Sequence, residues 1–136
     1  MPKSTKTLER ERNSIHTRTI EHIFGRLLKR DYDELSKNEN FANFETGELG
    51  EFDVKALRGV YEGNGNQKYA VLIEVKSGYN GKAFRKACSQ LRKAEERVRQ
   101  DYPDIRCFKF VVCSDRIKRK KGFERPYKFY RIPSEN

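Results

Sequence analysis

Three residues near the middle of the chain, Asp53, Glu74 and Lys76, have the types and spacing that phosphodiester chemistry uses. Carboxylate oxygens are hard ligands suited to Mg²⁺, a cation content with one or two carboxylates and several waters. A cation held there polarises a phosphate and lowers the pKa of a water. A neighbouring ammonium can position or deprotonate that water, or neutralise charge developing on the phosphate. The competing use of the same residues is a solvated cross-strand salt bridge, which is what most Glu-x-Lys pairs on strands are. The elements that carry the three residues decide between the two.

Those elements lie between Gly50 and Lys76. Glu51-Phe52-Asp53-Val54 reads as a short strand, and Tyr69-Ala70-Val71-Leu72-Ile73-Glu74-Val75-Lys76 is an apolar run that ends in acid, valine, base. An apolar run of that length bounded by turn signals predicts a buried strand. Its side chains alternate, so Glu74 and Lys76 share a face. Between the strands lies Glu62-Gly63-Asn64-Gly65-Asn66-Gln67, and Asn-Gly is the preferred centre of a tight hairpin. With Asn64-Gly65 as the turn, Gly63 faces Asn66 and Asp53 falls opposite Lys76, on the face of Glu74. Direct cross-strand partners sit about 5 Å apart at Cβ and diagonal ones about 7 Å. A one-residue slip would turn Asp53 away, whereas a two-residue slip keeps the cluster. Two acids and a lysine converging where a buried strand ends favour a site over a surface ion pair. Glu51 shares a face with Asp53 by parity and is an accessory acid candidate, although an exposed strand-end residue is the commoner use.

Asp53, followed by Glu74-Val75-Lys76 at the end of the next strand, resembles the PD-(D/E)XK nuclease superfamily. Within it, the size and N-terminal helix look most like the archaeal-type Holliday junction resolvases. The resemblance spans roughly residues 15 to 113 and rests on order, spacing and strand context, because the motif itself is short. Phe52 stands where the name-giving motif has proline, a position the family varies. The resemblance implies an α/β fold with a restriction-endonuclease-like core, a central mixed β-sheet flanked by helices. It implies Asp53 and Glu74 as metal ligands, the Val75 carbonyl as a further ligand, and Lys76 as the catalytic lysine. It implies Mg²⁺ as the cofactor, with Mn²⁺ substituting, branched DNA as the partner, and a homodimer that cuts two strands symmetrically.

Further along the chain, residues 1–13 are polar and basic and are expected to form a flexible arm or a frayed helix start. From Ser14 to Tyr32 the apolar residues Ile20, Ile23, Phe24, Leu27 and Leu28 recur at helical spacing, with Asn13 or Ser14 as cap. Glu21 falls at the edge of that stripe, where it can reach an active-site face; the resembling resolvases use a glutamate on this helix for metal, and Glu21 is the matching position. Helix edges commonly carry glutamate, so both uses stay open. His16 lies over the apolar stripe and His22 faces away, and both read as structural or solvated. Residues 31–50 read as a loop or ragged edge strand.

Ser77 opens a loop (residues 77–81) expected beside the metal site. A helix follows from about Lys82 to Gln100. Its buried stripe is Phe84, Ala87, Cys88, Leu91, Ala94 and Val98, and Lys82, Lys86, Lys93 and Arg97 form a ridge opposite. Gln90, between stripe and ridge, resembles the glutamine many nucleases of the superfamily carry near the site. Pro103 ends the helix. Residues 106–113 form the return strand of a β-α-β crossover, hence parallel to 69–76. The run Arg116-Ile117-Lys118-Arg119-Lys120-Lys121 reads as a DNA clamp, a nuclear localisation signal or a solubilising patch, with the clamp ranked first. Tyr127–Ile132 alternates enough for a last edge strand.

Composition sets the class. The chain has 136 residues, enough for one domain with a modest core. Thirty Lys and Arg against twenty Asp and Glu give a net charge of +10, which predicts a polyanionic partner bound through counterion release. Arg10 and Arg12 from the arm, the ridge (Lys82, Lys86, Lys93) and Arg116, Lys118, Arg119, Lys120 and Lys121 are the expected DNA-binding residues. No long apolar run or amphipathic anchor suggests a membrane partner, and no signal peptide precedes the domain. A cytoplasmic or nuclear location, not secretion, is expected. Three cysteines without CxxC spacing argue against a disulfide framework or a zinc site. The expected function is a Mg²⁺-dependent DNA endonuclease, with Holliday junctions as the favoured substrate. The rivals are a restriction-type or single-strand-directed nuclease of the same fold and a non-catalytic nucleic-acid-binding module.

Overall fold

The apolar run at residues 69–76 is the middle strand of a five-stranded sheet, and it is apolar on both faces because a helix covers each. The computed structural model describes residues 5–61, 67–76, 81–114 and 127–133, with side chains in the first helix from Ile15 onward. Its elements are α1 (Thr5–Leu27), β1 (Glu34–Ala42), β2 (Leu49–Arg58), β3 (Tyr69–Lys76), α2 (Gly81–Asp101), β4 (Arg106–Ser114) and β5 (Tyr127–Ile132). The strands lie in sequence order, β1-β2-β3-β4-β5. Only β3 and β4 pair in parallel, with α2 as the crossover between them; the other neighbours are antiparallel. The domain is thus α/β, a mixed sheet flanked by two helices.

On one face, α2 buries Ala87, Leu91, Ala94 and Val98, spaced at three and four residues. They meet Phe52, Leu57, Leu72 and Val111 from the sheet. Lys109 of β4 is buried beneath the same helix, and its ammonium pairs with Glu95 at 2.8 Å. Pro103 cannot continue α2, whose last turn closes with the Tyr102 N–H donating to the Val98 carbonyl at 2.9 Å. On the other face, Ile20 and Ile23 of α1 pack on Val54, Ile73, Val75 and Val112. The buried Thr19 hydroxyl donates to the Ile15 carbonyl one turn back at 2.7 Å. Each fully buried aliphatic side chain contributes about 1.5–3 kcal/mol, so these two layers fix where β3 ends. Cys88, Cys107 and Cys113 carry free thiols, and burial pushes Cys107 up to about 11, which leaves it inert.

Several boundaries differ from the sequence expectation. α1 is helical from Thr5, which selects the helix start over the arm for that segment, and it stops at Leu27 rather than Tyr32. Residues 31–50 contain a full edge strand, β1, and a turn whose amides at Glu45 and Thr46 donate to the Asn43 carboxamide oxygen. The β2–β3 register also differs: Val54 pairs with Ile73 and Arg58 with Tyr69, which sets Asp53 level with Glu74, two residues from the expected Lys76. The Asn64-Gly65 turn lies outside the described residues. A two-residue shift preserves which face each side chain takes, so the cluster survives.

Strict alternation nevertheless fails at Asp53. Phe52 belongs to the α2 core and Val54, two residues on, to the α1 core, whereas a regular strand would put both on one face. Across the ladder, Lys37 partners Val54 and Glu39 partners Phe52, while Asn38 between them takes a left-handed φ of 51°, a conformation asparagine tolerates. The kink inverts the strand at the aspartate, so parity does not carry the face of Asp53 to Glu51. At the far end of the hairpin, Gly59 has φ +78°, and a Cβ there would stand 2.9 Å from the Gln67 carbonyl oxygen. Gly59→Ala should therefore lower unfolding stability by about 1–3 kcal/mol; a urea midpoint equal to that of the wild type would show that the hairpin relaxes freely.

Candidate active site

The paired β2–β3 ladder ends at Val54 and Ile73. Beyond it the backbone N–H of Val75 donates to Asp53 Oδ2 at 2.8 Å, so a side chain takes over where the kinked strand withdraws its carbonyl. That bond holds Asp53, itself 5 % exposed, beside Glu74, which is 6 % exposed. The two carboxyl groups lie within hydrogen-bond reach of each other.

Two buried carboxylates in contact cannot both hold full charge without compensation. Burial first, and the charge of Asp53 second, push Glu74 up to about 9. Lys76 opposes this, its Nζ lying 3.7 Å from Glu74 Oε1. Desolvation outweighs that single contact, so the Glu74 pKa stays raised. The Lys76 ammonium is steadied from α2, donating to Gln90 Oε1 at 3.0 Å. Asp53, Glu74, Val75, Lys76 and Gln90 thus meet in one place.

His16 joins them. Its Nε2 lies 3.5 Å from Asp53 Oδ2, and the Val75 carbonyl is beside it. The hydrogen bond to Asp53 raises the imidazole pKa above its ordinary value, against partial desolvation. The sequence reading assigned His16 a structural or solvated role. The signal that marks it is a titratable residue on the stripe of Ile15, Thr19, Ile20 and Ile23, since a polar group on a buried face needs a partner.

The remaining candidates lie elsewhere. Glu21 is not brought to the cluster: it pairs with Lys37 of β1, whose ammonium also sits 4.9 Å from the Phe24 ring centroid. Glu51 is exposed, though near enough for its charge to act on Glu74. Lys93 of the expected basic ridge pairs with Glu48 at 2.8 Å, while Lys82 and Lys86 are exposed along α2. Arg10 and Arg12 lie within α1, their side chains undescribed; Ser77 and residues 116–121 lie outside the described residues.

The donors fit a hard cation. Two carboxyl groups and one backbone carbonyl are the partial set that Mg²⁺ completes with water, and a divalent charge is what the buried pair lacks. Among the described residues, no three His, Cys, Asp or Glu side chains gather to cage a metal, so any cation here would rest on this sparser set. No helix among them is long and apolar enough to cross a membrane. Comparisons with protein-family models, with curated proteins and with solved structures found no match to this chain.

Proposed function

We propose that this chain is a metal-dependent DNA endonuclease with a restriction-endonuclease-like core, acting on branched DNA as a homodimer. The observation that carries the reading is the buried Asp53–Glu74 pair at the end of β3, with the Lys76 ammonium 3.7 Å from Glu74. A purely structural ion pair would not bury two carboxyl groups against one lysine at a strand end. Asp53, Glu74 and the Val75 carbonyl would hold Mg²⁺, or Mn²⁺ in its place. Bound there, the ion supplies Lewis acidity to the phosphodiester and lowers the pKa of a water.

The chain's own residues do the rest. The Val75 amide fixes the Asp53 carboxylate, and Glu74 gives up its proton when its carboxylate is recruited. Gln90 aims the Lys76 ammonium, which orients the attacking water and neutralises charge gathering on the phosphate. His16 steadies Asp53 from α1. The exposed Lys82 and Lys86 and the strongly basic composition supply phosphate contacts. Branched DNA and the dimer follow from the resemblance to junction resolvases and from the two symmetric cuts that a four-way junction requires.

The test is cleavage of end-labelled DNA in Mg²⁺, comparing a four-way junction, a linear duplex and a single strand. Symmetric nicks near the junction centre support the full reading. Cutting of linear or single-stranded DNA alone keeps the site and discards the junction. Tight binding without cutting in either Mg²⁺ or Mn²⁺ would make the chain a binding module. His16→Ala should lower cleavage by roughly 10–100-fold, the usual effect of removing a group that orients a metal ligand. Unchanged rates in that variant would leave His16 a packing residue.

A further inference from the structure

Among the described residues, α1 covers only part of the sheet face beneath it. The helix packs over Val54, Ile73, Val75 and Val112 and ends at Leu27. Past its end the same face continues as a row of half-buried aromatic rings. Tyr32 meets Tyr69 edge-on at 6.5 Å, Tyr69 meets Phe108 at 6.0 Å, and Phe110 meets Phe129 at 6.3 Å. Two guanidinium groups, of Arg106 and Arg131, sit over Phe108 at 5.5 and 5.6 Å. A cavity of about 730 Å³ opens here, floored by Val71, Ile73, Phe110 and Phe129 and rimmed by Arg26, Lys29 and Arg30. Phe129 is 44 % exposed and Leu28 62 %.

Rings lying in a row, with arginine planes stacked on them and cations along the rim, match one ligand chemistry well. Bases have flat apolar faces, and their phosphates need positive charge at regular intervals. A stacked duplex hides its base faces, so only unpaired nucleotides can use the rings. A second copy of this chain fits less well. Self-association through the patch would bring Arg26, Lys29, Arg30 and Arg131 to a surface carrying those same cations.

We propose that this aromatic and arginine face binds unpaired nucleotides of a single strand. The face reaches from Tyr69, six positions or roughly 20 Å before Val75 on β3, to Phe129, which lies level with Val75 two strands away. It is a separate surface, and its binding does not depend on the cleavage reading.

The experiment is fluorescence anisotropy with labelled oligo-dT and a labelled hairpin duplex, in EDTA so that nothing is cut. Wild type is compared with Arg131→Ala and Phe129→Ala. Each should weaken oligo-dT binding roughly tenfold while duplex affinity and melting temperature change little. Arg131 is exposed and makes a safe variant should Phe129→Ala lose stability. Unchanged oligo-dT affinity in Arg131→Ala would overturn the proposal, and so would equal losses for oligo-dT and duplex. A dimer in sedimentation that Phe129→Ala dissociates, with oligo-dT binding intact, would assign the face to a second copy instead.

Discussion

Lys76→Ala should lower DNA cleavage by about 10²–10⁴-fold, the range for losing a positioned proton-transfer or charge-stabilising group, and Asp53→Asn should bring it below detection. The choice of asparagine matters. Asp53 does two jobs: it accepts the Val75 N–H at 2.8 Å, and it carries a charge beside Glu74. Alanine removes both and leaves a buried amide without an acceptor, which costs about 1–3 kcal/mol of stability. Asparagine keeps an oxygen for the amide and removes only the charge. Its circular dichroism and melting curve should therefore stay close to wild type while cleavage disappears. Lys76 is 21 % exposed at its side chain and bonded to Gln90 from one side, so its truncation should leave the fold standing. Gln90→Ala only frees the ammonium to wander and should cost less than Lys76→Ala. If Lys76→Ala and Asp53→Asn both cut a four-way junction, a linear duplex and a single strand at the wild-type rate in Mg²⁺, this cluster is not the site of hydrolysis.

Residue order made much of this legible. Glu74 and Lys76 follow from the apolar run of β3, because a strand whose alternation turns acid and base at its end must present them together. Gln90, between the stripe and the ridge of α2, is marked by its resemblance to the glutamine that many nucleases of the superfamily carry there, and its oxygen accepts from Lys76. The parallel return strand follows from the length of the crossover. Other features depend on contacts that no local pattern carries. The hairpin register is two residues from the Asn64-Gly65 expectation, because a segment with two Asn-rich glycine positions (Gly63 and Gly65) offers more than one turn. The inversion at Asp53 needs the left-handed Asn38 on the neighbouring strand. His16 reaches Asp53 only because α1 lies across the end of β3. Glu21, one turn and a residue further along, instead meets Lys37, an edge-strand lysine whose position the reading of residues 31–50 as a loop or ragged edge strand did not fix.

The same carboxylate pair makes stability depend on pH in a direction opposite to an ordinary salt bridge. Unfolded, Glu74 releases its proton near 4.5; folded, burial and Asp53 hold that proton up to about 9. Between those values the folded state keeps a proton that the unfolded state has lost, so stability falls as pH rises. His16 acts in the same sense: bonded to Asp53, it stays charged above its ordinary 6.5, and its contribution, complete below 6.5, is lost as pH rises through the raised value. Glu39 and Glu95, held below 4.5 by Ser36 and Lys55 and by Lys109 and Arg99, weaken the fold only on acidification. The metal-free protein should thus be most stable near pH 5–6 and lose stability steadily towards pH 9. A tenfold change in proton affinity is worth about 1.4 kcal/mol, or about 3–5 °C in Tm for a domain of this size. Because a cation takes Glu74 only without its proton, the stabilisation by Mg²⁺ should grow over the same range. Melting curves of wild type and Glu74→Gln, with EDTA and with Mg²⁺, separate the contributions. The variant should lose most of the slope and most of the Mg²⁺ response, keeping the part due to His16. A wild-type slope that Glu74→Gln leaves intact would mean that Glu74 ionises freely, and the exchange of proton for cation at this site would fall with it.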